Sequence, residues 1–113
     1  MIEFNADMRE FNPRKYTRAA EKYAAVAQLA VICGGNVRAW VKSLIREIRK
    51  MQEQMNMPTG FKACGILPEE YQKQKEAVAQ GALSDACIKT NPRNVSREDI
   101  LELLKQSYQG IRG

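Results

Sequence analysis

Three cysteines are the side chains of this sequence best suited to nucleophilic or metal chemistry. Cys33, Cys64 and Cys87 are far apart and odd in number, and the 113 residues contain no histidine. Their spacing argues against a disulfide framework and against a zinc site, and it favours a reducing compartment. Without histidine, the sequence can form neither a Ser-His-Asp triad nor a Cys-His pair. The cysteines therefore predict a cytoplasmic protein without these nucleophilic sites.

Paired glycines and paired carboxylates are the next patterns that could bind a ligand. Gly34-Gly35 follows a predicted helix and lacks the strand-loop-helix context of a phosphate-binding loop, so it indicates a helix C-terminus. Glu69-Glu70 falls in the first turn of a predicted helix, where acidic side chains suit the helix dipole. The residues alone therefore predict a helical domain with no catalytic residue, metal ligand or cofactor site of its own.

The net charge of +5 is concentrated in the first fifty residues, which hold ten Lys or Arg and five Asp or Glu. Basic residues on one predicted helix are Arg38, Lys42, Arg46, Arg49 and Lys50. A nucleic-acid surface would interleave aromatic residues with these cations, and none is present among them. We therefore prefer a solvated helix face or a subunit contact, and nucleic-acid binding stays an alternative.

Membrane insertion and secretion are both disfavoured by the apolar pattern. No stretch approaches the roughly 18 consecutive apolar residues of a membrane span. The first residues, Met1 to Asn5, carry no basic region and no apolar core of a secretion signal. We expect neither a membrane segment nor a leader.

A helical period runs through almost the whole chain after a connector over residues 1–11. The first predicted helix begins at Asn12-Pro13, with Asn as the cap and Phe11 and Tyr16 as a hydrophobic staple, and continues through Val31 to Gly34-Gly35. The second begins after Asn36. Its apolar stripe comprises Val37, Trp40, Val41, Leu44, Ile45, Ile48, Met51 and Met55.

The second half of the chain predicts two further helices. After the break at Met57 to Gly60, a helix begins at Pro68, with a possible kink at Gly81, and ends before Asn91-Pro92. Its predicted inward residues are Tyr71, Ala77, Val78, Ala82, Leu83 and Ala86.

The last helix has the strongest start signal in the sequence. Ser96 and Asp99 have the spacing of a capping box, with Val95 and Ile100 as a staple, and Gly110 marks the end. The predicted buried face is Ile100, Leu103, Leu104 and Tyr108. The sequence thus predicts one all-α domain over residues 1–113, a bundle of four to five helices.

The segment Ala82 to Leu103 resembles the C-terminal signature of the iron-containing (group III) alcohol dehydrogenases. Asp85-Ala86-Cys87 is followed by Asn91-Pro92-Arg93 and then by the capped final helix. Three upstream segments resemble the same family in the same order: Met1–Asn5, Glu21–Ala27, and Met57–Lys62 followed by Cys64-Gly65-Ile66. Ile88-Lys89-Thr90 departs from the family's usual Thr-Gly-Gly or Thr-Gly-Ala.

This resemblance implies the C-terminal part of the dehydroquinate synthase-like helical domain of such an enzyme. In the complete enzyme, Fe²⁺ or Zn²⁺ polarises an alcohol oxygen and hydride passes to NAD(P). The family's aspartate and three histidines that hold the metal, and its nucleotide-binding domain, would precede Met1. We therefore expect the chain alone to be inactive, with the remainder of the dehydrogenase or a second copy as its partner.

The resemblance also implies roles for individual residues. Cys87 matches a cysteine that borders the substrate pocket, and it can equally be a buried small side chain. Asn91, Pro92 and Arg93 match a structural turn that joins two helices. Cys33 and Cys64 are interpreted as plain packing residues.

Two other functions stay open. The chain could be a standalone helical interaction module whose apolar faces bind a partner. It could also be a basic nucleic-acid-binding helical protein, whose affinity would depend strongly on salt.

Overall fold

The computed structural model describes residues 1–30 and 34–110, and within these ranges the secondary structure is entirely helical. Five α-helices occur in order: α1 (Ile2–Asn5), α2 (Arg18–Leu29), α3 (Val37–Gln54), α4 (Pro68–Ser84) and α5 (Arg97–Gln109). A 3-10 helix, Ala86–Thr90, follows α4. Of the helices so described, none is both long and apolar enough to cross a membrane. The prediction of an all-α fold is confirmed.

The chain divides into two compact units, one over Met1–Met55 and the other beginning at Asn56. Helices α2 and α3 pack together in the first unit, and α4 and α5 pack together in the second. Each unit is therefore built on a pair of consecutive helices. That residues 1–113 form one domain stays a prediction.

The start of α2 corrects the sequence prediction, because the helix begins at Arg18 and not at Asn12-Pro13. The Asn12 side chain accepts a hydrogen bond from the Arg14 N–H at 2.9 Å, which closes a local turn in place of a helix. The cap is Thr17, whose hydroxyl accepts from the Ala20 N–H at 3.1 Å.

Two neighbouring predictions are corrected with the start of α2. The rings of Phe11 and Tyr16 stack at 5.7 Å, but they lie before the helix and so do not form a staple around its cap. The connector predicted over residues 1–11 contains the short helix α1. At its other end, α2 stops at Leu29 with Ala30 as C-cap, ahead of Gly34-Gly35. Val31 and Cys33 lie outside the described residues.

Small side chains form the core of the first unit. The buried cluster consists of Ala6, Ala20, Ala24 and Val41, so the backbones of α2 and α3 can approach closely. Partly buried residues packed around it are Ile2, Met8, Phe11, Tyr23, Val37, Trp40 and Ile45. Buried Asn5 donates a hydrogen bond to the Tyr23 hydroxyl at 3.1 Å, which compensates its removal from water.

Helix α3 confirms the predicted cap and most of the predicted stripe. The Asn36 side chain accepts from the Ala39 N–H at 2.9 Å, and Val41 and Leu44 are buried. The end of the stripe is a correction, because Met51 and Met55 are 51% and 64% exposed. Helix α3 has 18 residues and α2 has 12, so the last turns of α3 extend past its partner.

Helix α4 continues through Gly81 without a break, so the helix is not split there. Its buried residue is Ala79, whereas Ala77, Val78 and Ala86, predicted to point inward, are exposed. Ala77 precedes Ala79 by two residues, or about 200° around the helix, and so lies on the opposite side of α4 from the buried Ala79. Val78 stays half exposed because two helices alone cannot cover a whole apolar face.

Helix α5 matches its predicted boundaries and cap. The Ser96 hydroxyl accepts from the Asp99 N–H at 3.1 Å, and the Asp99 carboxylate accepts from the Ser96 N–H at 3.0 Å. Ile100 and Tyr108 are buried, and the helix ends at Gly110, whose φ of 88° suits glycine.

The turn before α4 caps the other end of α5. The N–H groups of Phe61 and Lys62 donate to the carbonyls of Ser107 and Tyr108 at 3.0 and 3.1 Å. A helix end otherwise leaves such carbonyls without partners. A Cβ on Gly60 would lie 2.5 Å from the Ser107 oxygen, so the close approach requires glycine there.

Candidate functional site

Cys87, the candidate substrate-pocket residue, lies in the 3-10 helix that follows α4. Asp85 caps this helix, because its carboxylate accepts from the Cys87 N–H at 2.7 Å. The same hydrogen bond is the main cause of the lowered pKa of Asp85. Thr90 donates from its hydroxyl to the Cys87 carbonyl at 2.8 Å. Two hydrogen bonds therefore hold the Cys87 backbone, while its side chain is exposed.

Asn91, Pro92 and Arg93 form the next turn. The Asn91 N–H donates to the Ile88 carbonyl at 3.3 Å, and its side-chain amide donates to the Arg93 carbonyl at 2.7 Å. These two bonds connect the 3-10 helix to the segment that leads into α5. The four candidate residues thus share one continuous, locally hydrogen-bonded segment between α4 and α5. Their roles in an enzyme stay predictions.

The interpretation of Cys64 as a packing residue is wrong, because its side chain is exposed. It lies in the turn over residues 61–65, where its N–H donates to the Phe61 carbonyl at 3.1 Å. The turn satisfies its own backbone, so it needs no buried side chain at this position. Cys33, interpreted in the same way, falls outside the described residues.

A groove of about 710 Å³ between α4 and α5 is a second candidate site, and it was not foreseen from the sequence. The rings of Tyr71 and Tyr108 stack in it at 4.5 Å, and the Tyr108 hydroxyl donates to the Ile66 carbonyl at 3.1 Å. Burial, followed by the nearby Glu102 carboxylate, raises the pKa of Tyr71. The charged residues that line the groove are Lys62, Lys75, Lys105, Glu98 and Glu102.

The sequence contains the two tyrosines of this groove, but their contact can be predicted only once it is known that α4 and α5 pair. Tyr71 lies near the start of α4 and Tyr108 near the end of α5. Two consecutive helices that pack antiparallel bring such positions together. Each residue was expected to point inward, and their mutual contact was not predicted. Cys87 is absent from the lining, so the groove and the Cys87 segment are separate features.

The described side chains were also compared with what a metal site requires. Over residues 1–30 and 34–110, no three His, Cys, Asp or Glu side chains lie close enough together to hold a metal ion. The described residues do not by themselves fit a metal centre.

A family model described as "Fe-containing alcohol dehydrogenase family, C-terminal" matches residues 1–108. The chain is 28% identical over 90 residues to an NADPH-dependent butanol dehydrogenase of Clostridium saccharobutylicum, covering 80% of this chain and 23% of the relative. It is 29% identical over 108 residues to the 1-propanol dehydrogenase PduQ of Salmonella typhimurium, covering 94% of this chain and 27% of the relative.

A third similar protein is an aldehyde-alcohol dehydrogenase of Clostridium acetobutylicum, 29% identical over 89 residues. That match covers 79% of this chain and 10% of the relative. The chain therefore spans about a quarter of the butanol and 1-propanol dehydrogenases and a smaller part of this longer protein.

Proposed function

Because this chain belongs to the iron-containing alcohol dehydrogenase family, as the C-terminal segment of its helical part, we propose that it completes an NAD(P)-dependent, metal-containing alcohol dehydrogenase of the cytoplasm. In that enzyme it forms one wall of the cavity where alcohol and aldehyde interconvert. Its partner is the remainder of the dehydrogenase polypeptide, and the chain has no turnover alone.

The match to the family over residues 1–108 is the observation that carries this proposal. The names of the relatives, which include butanol and 1-propanol dehydrogenases, support an alcohol as substrate. The described residues do not fit a metal centre, so we assign to this chain no catalytic step through a metal or a nicotinamide.

Cys87 is the residue that we assign to the cavity wall. Asp85 and Thr90 hold its backbone, while its side chain is free to face a neighbouring surface. A small, weakly polar thiol is suited to the apolar side of an alcohol pocket. Asn91, Pro92 and Arg93 are proposed to keep this segment in place relative to α5, through the amide bond from Asn91 to the Arg93 carbonyl.

A chimera tests the cavity-wall role. This chain would replace the matched segment of the 1-propanol dehydrogenase, with which it aligns over 94% of its length. In an active chimera, Cys87→Trp should lower kcat/KM for 1-propanol by about tenfold or more, because the indole would occupy substrate space. Cys64→Trp, at the other exposed cysteine, is the matched control and should leave kcat/KM nearly unchanged.

Thiol labelling gives the same test a readout that does not depend on turnover. In the isolated chain, both exposed cysteines should react with a maleimide at similar rates. In the chimera, Cys87 should react more slowly, and more slowly still with alcohol and cofactor bound. A Cys87 that reacts equally fast in both proteins, together with an unaffected Cys87→Trp chimera, would refute the assignment.

The purified chain itself tests the claim of inactivity. Incubated with Fe²⁺ or Zn²⁺, 1-butanol and either NAD⁺ or NADP⁺, it should form no reduced nicotinamide above the protein-free rate. Turnover that scales with the chain and disappears with a chelator would contradict the proposal.

A helical interaction module is the second candidate function, favoured by large apolar side chains that the chain leaves in solvent. Leu29 is 86% exposed and Leu67 is 66% exposed, and Val26, Phe61 and Val78 are exposed as well. Such surfaces are typical of sites that another protein covers. Light scattering that shows a clean monomer at every concentration would count against self-association through them.

A further inference from the structure

Four cations form a row along the solvent face of α3. Arg38, Lys42, Arg46 and Lys50 follow one another at four-residue intervals and are all exposed. With a rise of 1.5 Å per residue, neighbouring members lie about 6 Å apart along the axis and the row extends over about 18 Å. The buried residues Val41 and Leu44 lie on the other side of the helix. We call these four residues the basic row.

Glu47 and Glu53 lie on the same helix, each three residues from Lys50, but no carboxylate in the described part of the chain forms an ion pair with the basic row. The adjacent Arg49 is paired with Glu3 at 2.7 Å, whereas none of the four row members makes an ion pair with a described residue. Like charges four residues apart on a helix repel each other. Arg38 also lies in the first turn of α3, which holds no acidic residue and where the helix dipole disfavours a cation.

The four cations therefore have no ion-pair partner among the described residues, which leaves them available to an external anion. We propose that the basic row is a docking surface for an acidic helix of a protein partner, whose carboxylates recur at the same four-residue interval. Side chains at this interval form a ridge inclined to the helix axis, and two such ridges align when the helices cross at about −50°. Each cation can then face one carboxylate.

Other polyanions fit the same surface less well. Residues beside the row on its face include Ala39 and Ser43, which offer no ring on which a nucleobase could stack. An anionic membrane would be bound best by a helix with large apolar residues beside the cations. The large apolar residues of α3 belong to the stripe on its far side, around Val41 and Leu44.

Binding of designed peptides to the whole chain tests the proposal. The probe is an alanine-based helical peptide of about 17 residues with four glutamates at four-residue intervals. The comparison peptide has the same composition, with its glutamates distributed around the helix. We expect the ordered peptide to bind at least about fivefold more tightly at low salt, since each aligned pair adds a modest ionic contribution. Binding should weaken as salt screens the charges.

Matched variants tie the binding to this row. The double variant Lys42→Gln and Arg46→Gln should weaken binding of the ordered peptide by about fivefold or more. The control, Lys73→Gln and Lys89→Gln, removes the same net charge at exposed positions of the other unit and should bind like the parent. Far-UV circular dichroism would check that every variant remains folded.

Three results would overturn the proposal. The two peptides could bind equally, which would reduce the effect to general ionic attraction. The control variant could lose as much affinity as the row variant. A single-stranded oligothymidylate could bind more tightly than the ordered peptide and lose affinity in the row variant, which would assign the surface to nucleic acid instead.

Discussion

Ser96 and Asp99 exchange two hydrogen bonds at the start of α5, and each satisfies a backbone N–H that the first helical turn would leave unpaired. Ser96→Ala removes the hydroxyl acceptor and should lower the free energy of unfolding by about 1 kcal/mol. Urea denaturation followed by far-UV circular dichroism would measure it. Ser107→Ala, the same substitution inside the same helix, is the control and should cost almost nothing, because alanine is a good helix former.

The same cap should make α5 sensitive to acid. The N–H of Ser96 donates to the Asp99 carboxylate and is the main reason why the pKa of Asp99 lies below its usual 3.8. A carboxyl group whose folded pKa is lowered stabilises the fold above its unfolded pKa, and this stability is lost as pH falls through the folded value. Asp99→Asn should therefore lower the urea midpoint at pH 7, and the difference from the parent should shrink as the pH falls below 3.8.

Residue-scale features were predictable where the chemistry is local. Asn36 and Ser96 were identified as caps because the donor that each satisfies lies three residues further along the chain. The choice of Cys87 and Asn91 as candidate residues came from a resemblance to a family, and the comparisons support that family. The exposure of Cys64 could not be predicted, because it depends on what packs against the turn over residues 61–65.

The start of α2 shows the same limit at the scale of an element. Asn12-Pro13 and Thr17 both satisfy the local rules for a helix start. The structure uses Thr17, whose hydroxyl accepts from Ala20 N–H and also donates to the Asn5 carbonyl at 3.4 Å. That second partner is twelve residues away, so the choice between the two starts depends on how the chain before the helix folds back onto it.

Substitution at both candidate caps would test this choice. Thr17→Ala removes the acceptor for the first turn of α2 and should lower the free energy of unfolding by about 1 kcal/mol. Asn12→Ala affects only a turn outside the helix, where the Asn12 side chain accepts an exposed hydrogen bond from the Arg14 N–H. It should lower the free energy of unfolding by about half as much or less. An Asn12→Ala variant less stable than Thr17→Ala would mean that α2 begins at the earlier position.

At the scale of the whole molecule, each unit contains its own buried residues. The first is built around Val41 and small alanines, and the second around Ala79, Ile100 and Tyr108. Helical periodicity predicted which residues could be buried, but it could not tell how the helices would group. The groove with its stacked Tyr71 and Tyr108 was missed for that reason, since it exists only once α4 and α5 pair.

Unfolding of the two units can be followed separately, because Trp40, the single tryptophan, lies in the first and the Tyr71–Tyr108 pair in the second. Val41→Ala removes two buried methyl groups from the first core and should lower its stability by about 1–3 kcal/mol. The transition seen by Trp40 fluorescence should then shift to lower urea. The near-UV signal of Tyr71 and Tyr108 should shift less, when it is measured in a background that carries Tyr16→Phe and Tyr23→Phe in the first unit. Ile100→Ala should give the opposite pattern. Equal shifts of both signals in both variants would instead mean that residues 1–113 unfold cooperatively as one domain.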